Sequence, residues 1–150
     1  MPTVAATDPY HLHRFEEAQA HDYPQALAEL LDGKKRTHWI WYIFPQIDGL
    51  GSSPAARYYA ISGLAEARAY LDHPTLGPRL RECCAAIMTI RNSTAREILG
   101  TPDDLKLRSC ATLFAQLTTA DSVFSRLLDR FFEGQPDQRT LALLARGDDE

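Results

Sequence analysis

Four side chains in one short stretch offer most of the chemistry this sequence contains: His38, Trp41, Tyr42 and Gln46, within Arg36-Thr37-His38-Trp39-Ile40-Trp41-Tyr42-Ile43-Phe44-Pro45-Gln46. At helical spacing they fall off the apolar stripe of Trp39, Ile40, Ile43 and Phe44, which reads as core. Polar tips on aromatic bodies line a ligand pocket when they converge. The same residue types also fill cores, so the stretch admits both readings. Directly after it, Gly49, Gly51 and Ser52 form a turn that runs into Ser53-Pro54, an N-cap with proline at the first helical position. Free backbone N–H groups at a helix start suit phosphate or carboxylate, and Ser52 adds a hydroxyl. An ordinary turn explains the same residues, because Gly-Leu-Gly-Ser-Ser is neither a Walker loop nor a dinucleotide fingerprint.

Three cations are candidates to complete an anion site: Lys34, within Lys34-Lys35-Arg36, and Lys106 and Arg108, beside the hydroxyl of Ser109. A solvated helix face is the competing account of these charges. Gln19 shares an apolar face with Leu12 and Phe15, where an amide must find partners. For catalysis the sequence offers His38 and Asp48, to activate water or to stabilise a cationic sugar. No complete catalytic motif is present: there is no His-Glu-x-x-His zinc helix and no Gly-x-Ser-x-Gly elbow. His11, His13 and His21 do not build a metal site by spacing, and neither metal nor cofactor is expected.

The elements that must hold these residues read as helices. Leu12, Phe15 and Gln19 predict a first helix from Pro9, and Asp22 predicts the cap of a second that ends at Gly33. Pro45 ends the aromatic stretch. Helices are predicted over 54–59, 64–71 and 75–90, with His73-Pro74 between the last two, and Ser93 is the expected cap of a short segment closed by Gly100. Thr101-Pro102-Asp103-Asp104 reads as a helix start with Thr101 as cap, for a helix to Leu117. Asp121 is the expected cap of the next helix, through Phe132, and a last one covers 138–145. Strand signals are nearly absent, so the expected fold is all-α, a single compact domain of about eight short helices with loose ends at 1–7 and 146–150.

A chain of 150 residues suits one domain with a proper core. Its 20 acidic residues outnumber 16 basic ones, for a net charge of −4, which gives no reason to expect a nucleic acid polymer as partner. Cys83, Cys84 and Cys110 lack metal-ligand spacing and read as buried thiols of a reducing compartment. No apolar run approaches the ~20 residues of a membrane span, and the N-terminus lacks the pattern of a signal peptide. The expected location is cytoplasmic, without a membrane partner.

Several strings resemble a known family. Phe15-Glu16-Glu17-Ala18-Gln19, the run from Gly33 to Gln46, Gly49-Leu50-Gly51-Ser52, His73-Pro74-Thr75-Leu76-Gly77-Pro78-Arg79-Leu80 and the run from Leu105 to Phe114 resemble the bacterial domain of unknown function 1810 family, over about Asp8 to Leu144. The resemblance implies a compact, mainly helical cytoplasmic domain without an assigned activity. Such proteins often carry the label calpastatin, which denotes long disordered inhibitors and does not fit periodic apolar faces. More distantly, Phe15-Glu16-Glu17-Ala18-Gln19 and His73-Pro74-Thr75-Leu76 are similar to the NADAR proteins, helical N-glycosidases acting on ADP-ribose or related ribosides. The glutamate that precedes the aromatic in that family has no equivalent here, where His13 and Arg14 stand.

Two functions follow as expectations. One is a small-molecule site for a phosphorylated, base-containing ligand such as ADP-ribose, with hydrolysis of an N-glycosidic bond as the first reaction to test. The other is a non-enzymatic interaction domain in which the aromatic stretch docks a partner or a second copy.

Overall fold

The first helix runs without a break from His13 to Asp32 (α1) in the computed structural model, which describes the backbone of residues 7–148 and the side chains of 7–146. The sequence pattern predicts two helices there, divided at Asp22. Pro24 instead lies inside α1, and the Asp22 carboxylate accepts the Tyr42 hydroxyl, so it caps nothing. The start of α1 is held from outside by Asp8, whose carboxylate accepts the N–H groups of Leu12 at 2.8 Å and His13 at 2.9 Å. Its end is the left-handed Gly33, at φ 79°.

Among the described residues eight further helices follow: α2 (Ile40–Ile43), α3 (Pro54–Tyr58), α4 (Leu64–Asp72), α5 (Leu76–Met88), α6 (Ala95–Leu99), α7 (Asp103–Ala115), α8 (Val123–Phe132) and α9 (Gln138–Asp148). The same residues contain no sheet, and one isolated parallel bridge joins Ile47 to Ile61. The chain is therefore an all-α domain. Helix α9 extends three residues beyond its expected end at Ala145, and most of the expected loose ends lie outside the described residues.

Three cap positions sit one residue later than the sequence suggests. Thr94, not Ser93, opens α6: its hydroxyl accepts the Glu97 N–H at 3.1 Å while the Glu97 carboxylate accepts the Thr94 N–H at 2.8 Å, a complete capping box. Ser122, not Asp121, opens α8, with its hydroxyl 3.2 Å from the Ser125 nitrogen. In both cases the cap is the residue with extended backbone angles, which alone aims its oxygen at the first turn. Thr101 caps nothing, because α7 begins at Asp103 with Pro102 in the cap position and Asp103 and Asp104 in the first turn.

Helix α7 is the hub. It packs against α2, α4, α6, α8 and α9, while α5 packs against α1, α4 and α8. Phe15, Leu30, Tyr70, Leu80, Ile87, Phe114 and Phe124 fill the shared interior. Such a core is the opposite of a disordered inhibitor. Where α4 hands over to α5, the imidazole Nδ1 of His73 accepts the N–H groups of Thr75 at 3.0 Å and Leu76 at 3.1 Å, and so caps α5. Gly77 passes so near the end of α4 that an added Cβ would stand 2.0 Å from the Leu71 carbonyl oxygen.

Arg14 and Glu66 form a buried ion pair, 2.7 Å between Nη2 and Oε2. The guanidinium also donates to the carbonyls of Tyr58, Tyr10, His11 and Ala60, and the other Glu66 oxygen accepts the N–H and hydroxyl of Ser62. A buried pair is tolerated only when its remaining donors and lone pairs are filled in this way. Arg14 thus ties α1 to α4 and to the segment after α3.

Candidate functional site

Glu29, on the last turns of α1, sets the direction of the aromatic stretch. Its carboxylate accepts five hydrogen bonds, from the N–H groups of Arg36 and Thr37, the Thr37 hydroxyl, the Trp39 indole N–H and the Gln25 amide. Burial by itself would raise the pKa of this carboxyl. The donated bonds, led by that of Arg36, outweigh burial and lower it to about 2. Trp39 is thereby locked into the core at 1 % exposure, with Ile40, Ile43 and Phe44 buried beside it. Trp41, two residues on along α2, points the other way and is half-buried. Beyond Pro45 the chain is pinned a second time: the Ile61 N–H donates to the Gln46 carbonyl, and the Asp48 N–H donates to the Ile61 carbonyl, both at 2.8 Å.

Between this pinned segment and α7 lies a cleft of about 370 Å³. Trp41 and Gln46 form one wall, Leu50 and Gly51 of the glycine turn another. Leu105, Lys106 and Ser109 of α7 face them, and Asp137 and Arg139 at the start of α9 close the side. The volume is that of a small-molecule pocket.

Its electrostatics are specific. The Lys106 ammonium stands 3.7 Å from the centre of the Trp41 ring, a cation–π contact, and 3.4 Å from Asp103 Oδ1. The other Asp103 oxygen lies 2.9 Å from Lys35 Nζ, itself 5.1 Å from the Trp39 ring centre. One carboxylate is thus shared by two ammonium groups. Arg139 donates to the Gly49 carbonyl at 3.4 Å, a long bond that leaves most of its guanidinium uncommitted. Asp137 Oδ2 accepts the N–H and hydroxyl of Thr140 and, at 3.2 Å, the Ser109 hydroxyl, while the Asp137 N–H donates to the Thr112 hydroxyl. Among the described residues the Gln46 amide and the Trp41 indole N–H have no protein partner.

Of the ligand-binding candidates in the sequence, Trp41, Gln46, Gly51, Lys106 and Ser109 line this cleft together. Gly49 adjoins it through the carbonyl bonded to Arg139, and its φ of 105° is one that only glycine adopts readily. The remaining candidates lie elsewhere. Ser52 is exposed, and the helix start it precedes is only five residues long, with Ser53 Oγ already taking the Ala56 N–H. The glycine turn therefore contributes wall to the cleft. Lys34 is exposed beyond the end of α1. Arg108 donates to the Gln135 carbonyl at 2.8 Å and faces Phe132. Gln19 is in the core, where its amide donates to the Tyr42 carbonyl and the Tyr70 hydroxyl. Tyr42 is committed to Asp22, and burial together with that carboxylate raises its phenol above the usual range. His38 and Asp48 are exposed, and neither lines the cleft.

Sequence reasoning does not single out Asp137, Arg139 or Leu105. Asp137 does carry a capping signal, an aspartate directly before the first residue of a helix. Nothing local, however, places α9 against a turn ninety residues earlier.

A second cleft, about 510 Å³, lies between the start of α1 and the α4–α5 junction, with His73 Nε2 3.3 Å from Glu16 Oε1. Because Nδ1 of His73 accepts two backbone N–H groups, its proton sits on Nε2, and that nitrogen offers no lone pair to a metal. Among the described residues no group of three or more histidine, cysteine or acidic side chains is arranged to hold a metal ion.

The fold has a solved counterpart. The crystal structure of the conserved hypothetical protein Rv1873 from Mycobacterium tuberculosis is 51% identical, with a TM-score of 0.90 over 92% of this chain and 99% of that one. No curated protein matches the chain. The family model described as "Protein of unknown function (DUF1810)" matches residues 9–144, nearly all of the helical domain built above, and the chain belongs to that family.

Proposed function

We propose that the cleft between the aromatic stretch and α7 binds a small anionic metabolite with a planar ring, of the phosphorylated nucleoside type, such as ADP-ribose or a related compound. The observation that carries this reading is Lys106 seated 3.7 Å over Trp41 on the wall of a cleft that Arg139 also lines. In a chain of net charge −4, Lys106 and Arg139 line the cleft with Asp137, and Asp103 behind Lys106 is shared with Lys35, so three cations stand against two carboxylates. Local positive charge within an acidic protein favours an anion, and phosphate groups pair well with arginine and lysine. With Lys106 over one face of the indole, a ligand ring would pack on its opposite face or edge, and the Gln46 amide offers a donor and an acceptor for the edge of that ring.

A reaction on such a ligand would be hydrolysis of its N-glycosidic bond, in which water adds to the anomeric carbon and the base departs with a proton. The geometry supports binding more directly than hydrolysis, because His38 and Asp48 stand outside the cleft. Isothermal titration with AMP, ADP and ADP-ribose tests binding, and chromatography of the same mixtures tests for released base. Trp41→Ala and Lys106→Ala are expected to weaken binding at least ~10-fold each while the protein stays folded. Absence of heat and of thermal stabilisation with all three compounds would overturn the reading. The docking alternative calls for a contiguous apolar patch; the large apolar side chains exposed among the described residues are Leu31 of α1, Tyr58 of α3 and Leu105 of α7.

A further inference from the structure

A cleft that attracts anions also holds a carboxylate. Asp137 directs its Oδ2 to Thr140 and Ser109, as the cap of α9, and that oxygen is fully used. Oδ1 has no partner among the described residues, and Asp137 lines the cleft. A carboxylate only accepts hydrogen bonds. Beside a bound phosphorylated ligand it is repulsive unless the ligand places donors between its own negative charge and the carboxylate. Uncharged hydroxyl groups are such donors, and a sugar carries them between phosphate and base.

We propose that Asp137 Oδ1 accepts hydrogen bonds from the sugar hydroxyls of the ligand, so that the cleft selects phosphorylated ribosides over their deoxy counterparts. The inference rests on the reading of the cleft as a nucleotide-type site. The cleft groups then divide the ligand among them, with Lys106 and Arg139 facing the phosphate, Trp41 and Gln46 the ring, and Asp137 the sugar in between. The fixed orientation matters. The N–H and hydroxyl of Thr140 on Oδ2, a Ser109 hydroxyl shared between Oδ2 and the Leu105 carbonyl, and the Asp137 N–H bonded to Thr112 hold the carboxylate in one rotamer, so Oδ1 is presented with little further ordering cost.

The competing account is that Asp137 is a helix cap and nothing more. Asparagine caps as well as aspartate, so Asp137→Asn keeps the cap while putting an amide where the carboxylate was. The experiment titrates AMP and 2′,3′-dideoxy-AMP into the full chain and into Asp137→Asn, with a urea melt of each protein. The wild-type chain is expected to bind AMP ~10-fold or more tighter than the dideoxy compound, the size of hydrogen bonds to a charged acceptor. In Asp137→Asn that ratio falls toward one while the melt barely moves and dideoxy-AMP binds no worse. Asp137→Ser, another good cap, should collapse the ratio in the same way and covers the case in which the asparagine variant folds poorly. Equal binding of both compounds to the wild-type chain would remove the role of Asp137 and leave the nucleotide site standing, as would a ratio that survives both substitutions. Failure of both compounds to bind the wild-type chain would overturn the site reading, and this inference with it.

Discussion

Glu29 shows how one residue governs a site that it does not touch. Its pKa is lowered from the usual 4.5 to about 2, because the hydrogen bonds donated to the carboxylate favour its charged form and outweigh burial. With the folded value below the unfolded one, the stabilisation is complete above pH 4.5 and is lost as pH falls toward 2. The shift corresponds to a contribution on the order of 3 kcal/mol. Urea melts from about pH 7 to about pH 2.5 should show this loss in the wild-type chain, and Glu29→Gln should lack most of that pH dependence while being less stable at neutral pH. An unchanged slope in Glu29→Gln would mean that the carboxylate does not anchor the stretch. The two tryptophans give a paired test. Trp39→Ala should cost ~3–5 kcal/mol through lost burial and a cavity. Trp41→Ala should cost much less in a melt and appear as weakened AMP binding by titration; if it unfolds the chain as readily as Trp39→Ala, both rings are core. This division was legible in the sequence, since Trp39 falls on the apolar stripe with Ile40, Ile43 and Phe44 and Trp41 does not. The commitment of Tyr42 to Asp22 and of Gln19 to the core was not legible, because both depend on which helix face meets which.

At the scale of elements, the junction of α4 and α5 is the least forgiving part of the fold. A methyl group on Gly77 would meet the Leu71 carbonyl oxygen, and a backbone atom cannot swing aside as a side chain can. Gly77→Ala should therefore cost at least ~3 kcal/mol, toward the upper end of overpacking penalties, and circular dichroism melts would record it. A shift within that of an ordinary surface substitution would show that α4 and α5 can separate freely. Helix existence was readable from periodicity throughout, and the helix ends were less so. Ser93 and Thr94, or Asp121 and Ser122, are adjacent residues of equal capping chemistry, and only the backbone angles decide between them. Asp22 resembles a cap in sequence, yet α1 continues past it because the packing of a long helix against α2 and α5 outweighs one proline.

Across the whole molecule, the interior also decides what the thiols can do. Cys83, Cys84 and Cys110 are buried and unpaired, and burial pushes Cys83 up to about 12 and the other two well above their ordinary value. Thiolate is the reactive form. Iodoacetamide at about pH 8 should label none of the three in the folded chain and all of them in denaturant, as counted by mass spectrometry; rapid labelling of one in the folded state would reveal an opening that the packing does not show. Among the described residues no helix is long and apolar enough to cross a membrane. The placing of α9 has a further consequence, for the order in which the protein is made. Arg139 reaches the Gly49 carbonyl, and Leu143 packs 3.1 Å from where a Gly49 Cβ would be, so the cleft is closed by a segment synthesised well after both of its other walls. A nascent chain that has emerged only to Pro136 holds both tryptophans, Lys106 and most of the hydrophobic interior, yet has no side wall with which to retain a ligand. If the cleft binds a ligand as proposed, a ligand present during synthesis can stabilise only chains extended past Arg139 and Leu143.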